Sequence, residues 1–339
     1  MEIDMKYQEL EARLQLLSRQ ISAIQMSTGP LYRIKMLPLR HRRWKTFVEP
    51  KMRLVLSPRP DLKAVQRQMH QLISHHFEPH PIVHAYVKGR GIVTNARQHV
   101  GKEWLFHVDL VNFFGSIKEE LVIEGLWRVL RNLSQENMSV IAQLCCHEGF
   151  LPQGSPASPI LSNLACFPLD RRLQEFGKSL GITVTRYSDD ICFSSTNAIL
   201  PDELAKVWGR GAAQLIELGA PLRNLFEPYG FKINFKKLRF QDRTERQQVT
   251  GLVVNDRVNV PKEYYRTIRR NLRLWDERGI DVAARQFQRQ HSANKFVKSL
   301  KGLIDYIGQV TGRSDIRYRD LLRAFEKLKA GDMARLHLA

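Results

Sequence analysis

The run Tyr187-Ser188-Asp189-Asp190 constrains this chain more than any other, because a third carboxylate, Asp109, stands far upstream at the end of an apolar stretch. The segments flanking the paired aspartates, Val184 to Tyr187 and Ile191 to Ser194, are short and β-rich, which predicts a hairpin with the carboxylates at its tip. Trp104 to Leu110 is strand-like as well. A strand bringing Asp109 beside that hairpin would form an oxygen-rich cage for two hard divalent cations. Such a cage suits in-line displacement at phosphorus, one cation activating the attacking oxygen and the other steadying the leaving group. The competing explanation is a plain β-turn, in which aspartate is favoured.

Charge narrows the partners. In 339 residues, 53 Lys and Arg outweigh 34 Asp and Glu for a net charge of +19, so a polyanion, nucleic acid first, is expected. The length allows one large domain or two to three smaller ones. No apolar run is long enough to span a bilayer and Met1 to Gln25 lacks a signal-peptide core, so a cytoplasmic location and no membrane partner are expected. Cys145, Cys146, Cys166 and Cys192 have no C-x-x-C spacing and read as reduced core thiols.

Local patterns place these segments. Residues 4 to 25 carry Leu10, Leu14, Leu17, Ile21 and Ile24 at helical spacing, predicting an N-terminal amphipathic helix. Thr46 to Val48 and Arg53 to Leu56 read as two short strands around Pro50, followed by a helix over 61 to 77. Helices are expected over 118 to 132, 160 to 180 and 202 to 219, a Gly/Pro/Ser loop over 151 to 159, and strands near 231 to 240 and 248 to 260. After Pro261 the pattern is helical to Ala339, with Tyr264, Ile268, Leu272 and Trp275 on one face and Arg266, Arg269, Arg270 and Arg273 between them. His76, His80 and His84 share a four-residue rhythm, but Pro79 and Pro81 forbid a helix through it, so no metal site is expected there.

The order of the motifs carries more than any one of them. His107-Val108-Asp109-Leu110 is followed by Leu151-Pro152-Gln153-Gly154-Ser155-Pro156, then Tyr187-Ser188-Asp189-Asp190, then Gly230-Phe231-Lys232-Ile233-Asn234 with Lys236 and Lys237. In this order they resemble motifs A to D of reverse transcriptases, over roughly residues 30 to 310. Asn95-Ala96-Arg97-Gln98-His99 and Val249-Thr250-Gly251 resemble the N-A-x-x-H and V-T-G elements of bacterial retron reverse transcriptases. One departure is Phe113-Phe114-Gly115-Ser116, where Phe-Phe-Pro-Ser is commoner.

The resemblance implies an α+β right-hand polymerase: an N-terminal helical extension over 1–30, fingers over 31–103 with part of 130–160, palm over 104–260 and helical thumb over 261–339. Asp109, Asp189 and Asp190, with the Leu110 carbonyl, would hold two Mg2+ ions, with Mn2+ as a substitute. Phe114 would lie under the incoming sugar and exclude a 2′-hydroxyl, or else be a core aromatic; Phe113, one step along an extended segment, would face the other way. Gln153 and Gly154 would approach the nascent base pair and template. Arg53, with Lys51 or Arg43, would grip the triphosphate, and Lys237 or Lys236 would protonate pyrophosphate or contact backbone phosphate. Asn95 and His99 would help hold the cognate RNA or staple a loop, and Arg269, Arg270 and Arg273 would track the template duplex or solvate a helix face.

The resemblance further implies a retron enzyme that copies its own noncoding RNA into msDNA from dNTPs, in antiphage defence beside a separate effector protein. With no RNase H segment recognised after the thumb, host RNase H is the expected partner for template removal. The alternatives are another prokaryotic reverse transcriptase, intron-like or defence-associated, and a non-catalytic RNA-binding scaffold.

Overall fold

The computed structural model describes residues 29–38, 52–130, 134–209, 214–287 and 292–337, with single positions at 20, 23, 24, 26 and 211. Of the predicted N-terminal helix, residues 20, 23 and 24 are described and are helical; the predicted strand at 46 to 48 lies outside the described residues, as do Arg43 and Lys51. The chain forms two compact units, Met1–Gly91 with Trp104–Phe240, and Ile92–Glu103 with Gln241–Ala339. Among the described residues no helix is long and apolar enough to cross a membrane.

The first unit begins with a two-stranded ribbon. Strand β1 (Tyr32–Pro38) pairs antiparallel with β2 (Met52–Pro58), setting Ile34 against Leu56 and Met36 against Leu54. The expected strand at 53 to 56 therefore exists, but its observed partner is this earlier segment, whose apolar residues match it across the ladder. Helix α1 (Pro60–His76) opens with proline in its first turn and buries Leu62, Val65, Met69, Leu72 and Ile73 along one face. Beyond it His80 and His84 are buried, and burial, with the Arg90 charge, holds the His84 imidazole down to about 4.

Helix α2 (Ile92–Arg97) belongs to the second unit, after which β3 (Trp104–Asp109) returns to the first. A short turn of helix, α3 (Phe113–Ser116), leads to α4 (Glu119–Val129) and α5 (Gln135–Cys145). The helix expected over 160 to 180 is two, α6 (Ser158–Ala165) and α7 (Phe167–Ser179), because Pro168 opens a new helix after Cys166. Strands β4 (Thr183–Tyr187) and β5 (Asp190–Ser195) form the predicted hairpin.

The helix expected over 202 to 219 is absent. Strands β6 (Ala205–Trp208) and β7 (Leu215–Leu218) form an antiparallel hairpin there, and Gly209 and Gly211 lie between them at φ 78° and 61°. Left-handed glycines end a helix and open a turn, and this outweighs the weak helical spacing. Helix α8 (Ala220–Phe226) follows. The strand expected near 231 to 240 is confined to β8 (Arg239–Asp242), because Phe235–Lys237 forms a turn of 3-10 helix. The central sheet runs β4-β5-β3-β8, and its fully buried Phe106, Val108, Ile191 and Phe193 join the core under α6 and α7.

In the second unit the strand expected over 248 to 260 is only a tight hairpin, β9 (Gln248–Val249) and β10 (Leu252–Val253). Its turn residues Thr250 and Gly251 have φ 49° and 82°, the pair of left-handed conformations that a two-residue hairpin loop requires. Helix α2 packs on this hairpin: Thr250 Oγ1 donates to the Ile92 carbonyl at 3.2 Å and Gly101 N to the Val254 carbonyl at 3.1 Å. Residues 92–103, grouped with the fingers in the sequence division, thus pack with Gln241–Ala339. The described remainder is helical: α9 (Lys262–Arg278), α10 (Ile280–Gln286), α11 (Ala293–Thr311) and α12 (Ile316–His337). Their core gathers on Trp275, whose ring meets Phe296 at 5.6 Å and Phe325 at 5.7 Å edge-on, and whose N–H donates to Asp332 at 2.6 Å.

Candidate active site

Asp109 ends β3, Asp190 begins β5, and the two stand opposite each other in the ladder. Directly opposed residues of an antiparallel pair share a face, so both carboxylates emerge on one side of the sheet. Between β4 and β5 the turn residue Ser188 has φ 62°. This left-handed step brings the Asp189 carbonyl within 3.0 Å of the Leu110 N–H, tying the hairpin tip to the residue after Asp109. Asp109 accepts from Lys237 Nζ at 2.8 and 3.0 Å and from Asn234 Nδ2 at 3.1 Å. Asp190 Oδ1 lies 3.4 Å from His107 Nδ1.

Three carboxylates this close repel one another. Burial is the main reason the Asp189 carboxyl sits above its ordinary range, and the charges of Asp109 and Asp190 add to it while Lys237 offsets part. The donor set is all oxygen and carries surplus negative charge, which suits small hard cations, and the Lys237 ammonium already rests on it. As the side chains stand, no three acidic, histidine or cysteine groups among the described residues converge on one point. Asp109 is engaged by Lys237 and Asp190 leans toward His107, so a cation would compete with both contacts.

A cavity of about 320 Å³ opens beside this cluster, and Arg53, Leu110, Phe114, Gln153 and Lys237 line it with Asp109 and Asp189. Arg53 is exposed on β2. Phe113 and Phe114 lie on the helical turn α3 rather than along the expected extended segment, since left-handed Asn112 (φ 47°) starts a turn there, and both border the cavity. Phe113 is buried and stacks on Phe231 at 5.9 Å, whereas Phe114 is half-buried at the cavity wall. Gly115 leaves room for the Asn112 side chain, into which a Cβ would run.

Gln153 and Gly154 bind the ribbon to this site. The Gln153 carbonyl accepts from Leu56 N at 2.8 Å, and at Gly154 (φ 126°) a Cβ would fall 2.6 Å from the Leu56 oxygen. The close approach Gly154 makes here is thus to β2. Of the two lysines, Lys237 reaches Asp109 and Lys236 is exposed.

The remaining candidates belong to the second unit. Asn95 and His99 are buried at α2, and Asn95 Oδ1 has no hydrogen-bond partner among the described residues. Arg269, Arg270 and Arg273 are exposed on α9, where Arg273 also bonds Glu277 at 2.6 Å.

Three residues of this region had no assigned part in the sequence reading. Asn234 holds Asp109, and Tyr86 lines the cavity with its hydroxyl 3.2 Å from Ser188 Oγ. Arg186, fully buried, donates to Asp170 at 2.5 and 2.7 Å, to Asn163 Oδ1 at 3.2 Å and to the Ser188 carbonyl at 3.2 Å. Burial opposes its charge, yet the Asp170 carboxylate, aided by Cys166, keeps the guanidinium above its ordinary pKa. A lone arginine between the β-branched run Ile182 to Thr185 and Tyr187 was a signal that could have found it.

The family described as reverse transcriptase (RNA-dependent DNA polymerase) matches residues 45–254, more than half of the chain. The chain belongs to that family, and its antiparallel sheet with packed helices is the α+β fold expected of it. Within it, the motif resemblance to retron enzymes is matched by curated relatives. The retron Mx162 reverse transcriptase of Myxococcus xanthus is 34% identical over 64% of this chain and 48% of that protein. The retron Ec86 and Ec83 enzymes of Escherichia coli are 30% and 27% identical, over 65% and 80% of this chain and 64% and 84% of theirs. The chain thus spans about half to two thirds of the first relatives it matches. Among solved structures, a telomerase from Candida albicans in complex with a telomeric RNA fragment aligns at a TM-score of 0.49 and 11% identity over 91% of this chain and 64% of that one, too slight a likeness to bear on function.

Proposed function

We propose that the protein is an RNA-directed DNA polymerase of the retron kind. It copies part of a cognate structured noncoding RNA into msDNA from dNTPs by two-metal nucleotidyl transfer, in antiphage defence beside a separate effector, with host RNase H removing template. The observation that carries the polymerase reading is the facing of Asp109 and Asp190, locked to Asp189 through Leu110, beside a cavity with a cationic and an aromatic wall. The retron part rests on the relatives and on the N-A-x-x-H and V-T-G elements, which pack on each other in the second unit.

Asp109, Asp189, Asp190 and the Leu110 carbonyl would hold two Mg2+ ions, for which Mn2+ could substitute. Bound there, the ions would make the attacking hydroxyl more acidic and offset charge on the leaving pyrophosphate. Arg53 would bind the triphosphate through its planar fork of donors. Phe114 would support the sugar and exclude a 2′-hydroxyl, while Gln153 and Gly154 border the nascent pair. Lys237, freed from Asp109 as cations take over its charge, would pass a proton to pyrophosphate. Arg269, Arg270 and Arg273 would hold RNA through its shape and phosphates, and the buried Asn95 and His99 would shape the surface beneath it.

Primer extension on an RNA template with dNTPs and Mg2+ tests this reading. The protein should extend, and Asp189→Asn should abolish extension while still retaining RNA. Extension by Asp189→Asn at the full rate would remove the metal assignment, and none by the unaltered protein would leave the binding scaffold. A product branched at a 2′-hydroxyl distinguishes retron priming from other reverse transcription.

A further inference from the structure

We infer that Tyr86 is a specificity-determining wall of the nucleotide pocket, paired with Phe114 and braced by Ser188 of the Asp189 turn. This rests on the polymerase reading and adds a contact to it. Tyr86 adopts φ 62°, a conformation that a bulky side chain rarely takes. Such strain persists only where the surroundings over-determine it, and it concentrates at functional sites.

The surroundings here do so. Ala85, just before it, is fully buried, and its carbonyl accepts from Asn163 Nδ2 at 2.9 Å. His84 N donates to the Arg186 carbonyl at 3.0 Å, and Arg90 Nη1 donates to the carbonyls of His80 at 3.0 Å and Val83 at 2.7 Å.

The strained backbone does not serve to bury the ring. Tyr86 remains 43% exposed and lines the cavity, 6.2 Å from the Phe114 ring between centroids. Its hydroxyl, 3.2 Å from Ser188 Oγ, fixes the ring to the turn that carries Asp189. Two tilted aromatic rings in the cavity wall, with Arg53 also lining it, match a ligand having an apolar ring portion and an anionic tail. That is the chemistry of a nucleoside triphosphate, whose sugar and base would pack on Tyr86.

Single-nucleotide incorporation by the full chain on an RNA template, with kcat and KM measured for a dNTP and its ribonucleotide, tests the inference. Tyr86→Asn removes the ring but keeps a residue tolerant of left-handed backbone. It should raise the dNTP KM about tenfold, the scale of losing an apolar pocket contact, and narrow the preference for deoxynucleotides. Its Tm and RNA affinity should stay as they were. Tyr86→Phe, which keeps the ring and loses the brace, should hold KM and lower kcat. An unchanged KM and sugar preference in Tyr86→Asn overturns the inference, as does a loss of Tm and kcat alone, the mark of a structural residue. Should Tyr86→Asn not fold, an unaltered kcat in Tyr86→Phe overturns it. If the unaltered protein fails to extend, it is the polymerase reading that falls.

Discussion

At Asp189 the fold maintains a charge that it does not fully neutralise. Burial and the two neighbouring carboxylates lift its pKa, and only Lys237 among the interacting charges works the other way. Removing that charge should relieve the metal-free protein. Asp189→Asn is expected to raise Tm without divalent ions by about 2–4 °C, as neutralising a strained functional group commonly does. Mg2+ should raise the Tm of the unaltered protein, and the variant should lose that rise. Thermal melts with and without Mg2+ read both effects, and an equal Mg2+ response in the variant counts against Asp189 as a ligand. The three aspartates could be found in the sequence because their motifs occur in a recognisable order. Tyr86 could not, because neither its left-handed backbone nor its contact with a residue so distant in the chain leaves a local trace. Lys237 was separable from Lys236 only once the 3-10 turn had aimed it at Asp109.

Elements were legible where the pattern was long and local. Helix α9 buries Ile268, Leu272 and Trp275 and exposes its arginines as its periodicity predicts, and the β4–β5 hairpin follows from its β-rich flanks. The β6–β7 hairpin was hidden because each strand has only four residues, too few to outvote a helical pattern. The pairing of β2 with β1 was hidden because it spans a long connection. A fully buried tie between elements, Arg186–Asp170, joins β4 to α7 and, through Asn163 and the Ser188 carbonyl, to α6 and the Asp189 turn. Breaking one side of a buried pair leaves a lone charge in the core. Arg186→Met should therefore cost about 3–5 kcal/mol of stability in a denaturant titration. The double variant Arg186→Met, Asp170→Leu should regain most of that, since removing both charges together strands neither. Equal losses in the single and double variants would show that the pair is not the tie.

At the scale of the whole molecule the net charge of +19 predicts how RNA would be held before it predicts where. Composition states the charge but not its grouping. Residues 92–103 pack with 241–339 through contacts such as Gly101 with Val254, which no local pattern announces. What α9 does contribute is a row of exposed arginines, Arg266, Arg269, Arg270 and Arg273. If these contact phosphates, each releases a condensed counterion when RNA binds. RNA affinity should then fall linearly with salt on logarithmic axes. Replacing Arg269, Arg270 and Arg273 together by alanine should make the slope shallower by about 2–3, roughly one unit for each lost contact. Cognate and unrelated RNA should weaken alike, because phosphate contacts position without specifying. Filter binding from low to moderate salt measures the slope directly. A slope unchanged in the triple variant would move the phosphate track off α9, and a flat line for the unaltered protein would remove counterion release as the source of its RNA affinity.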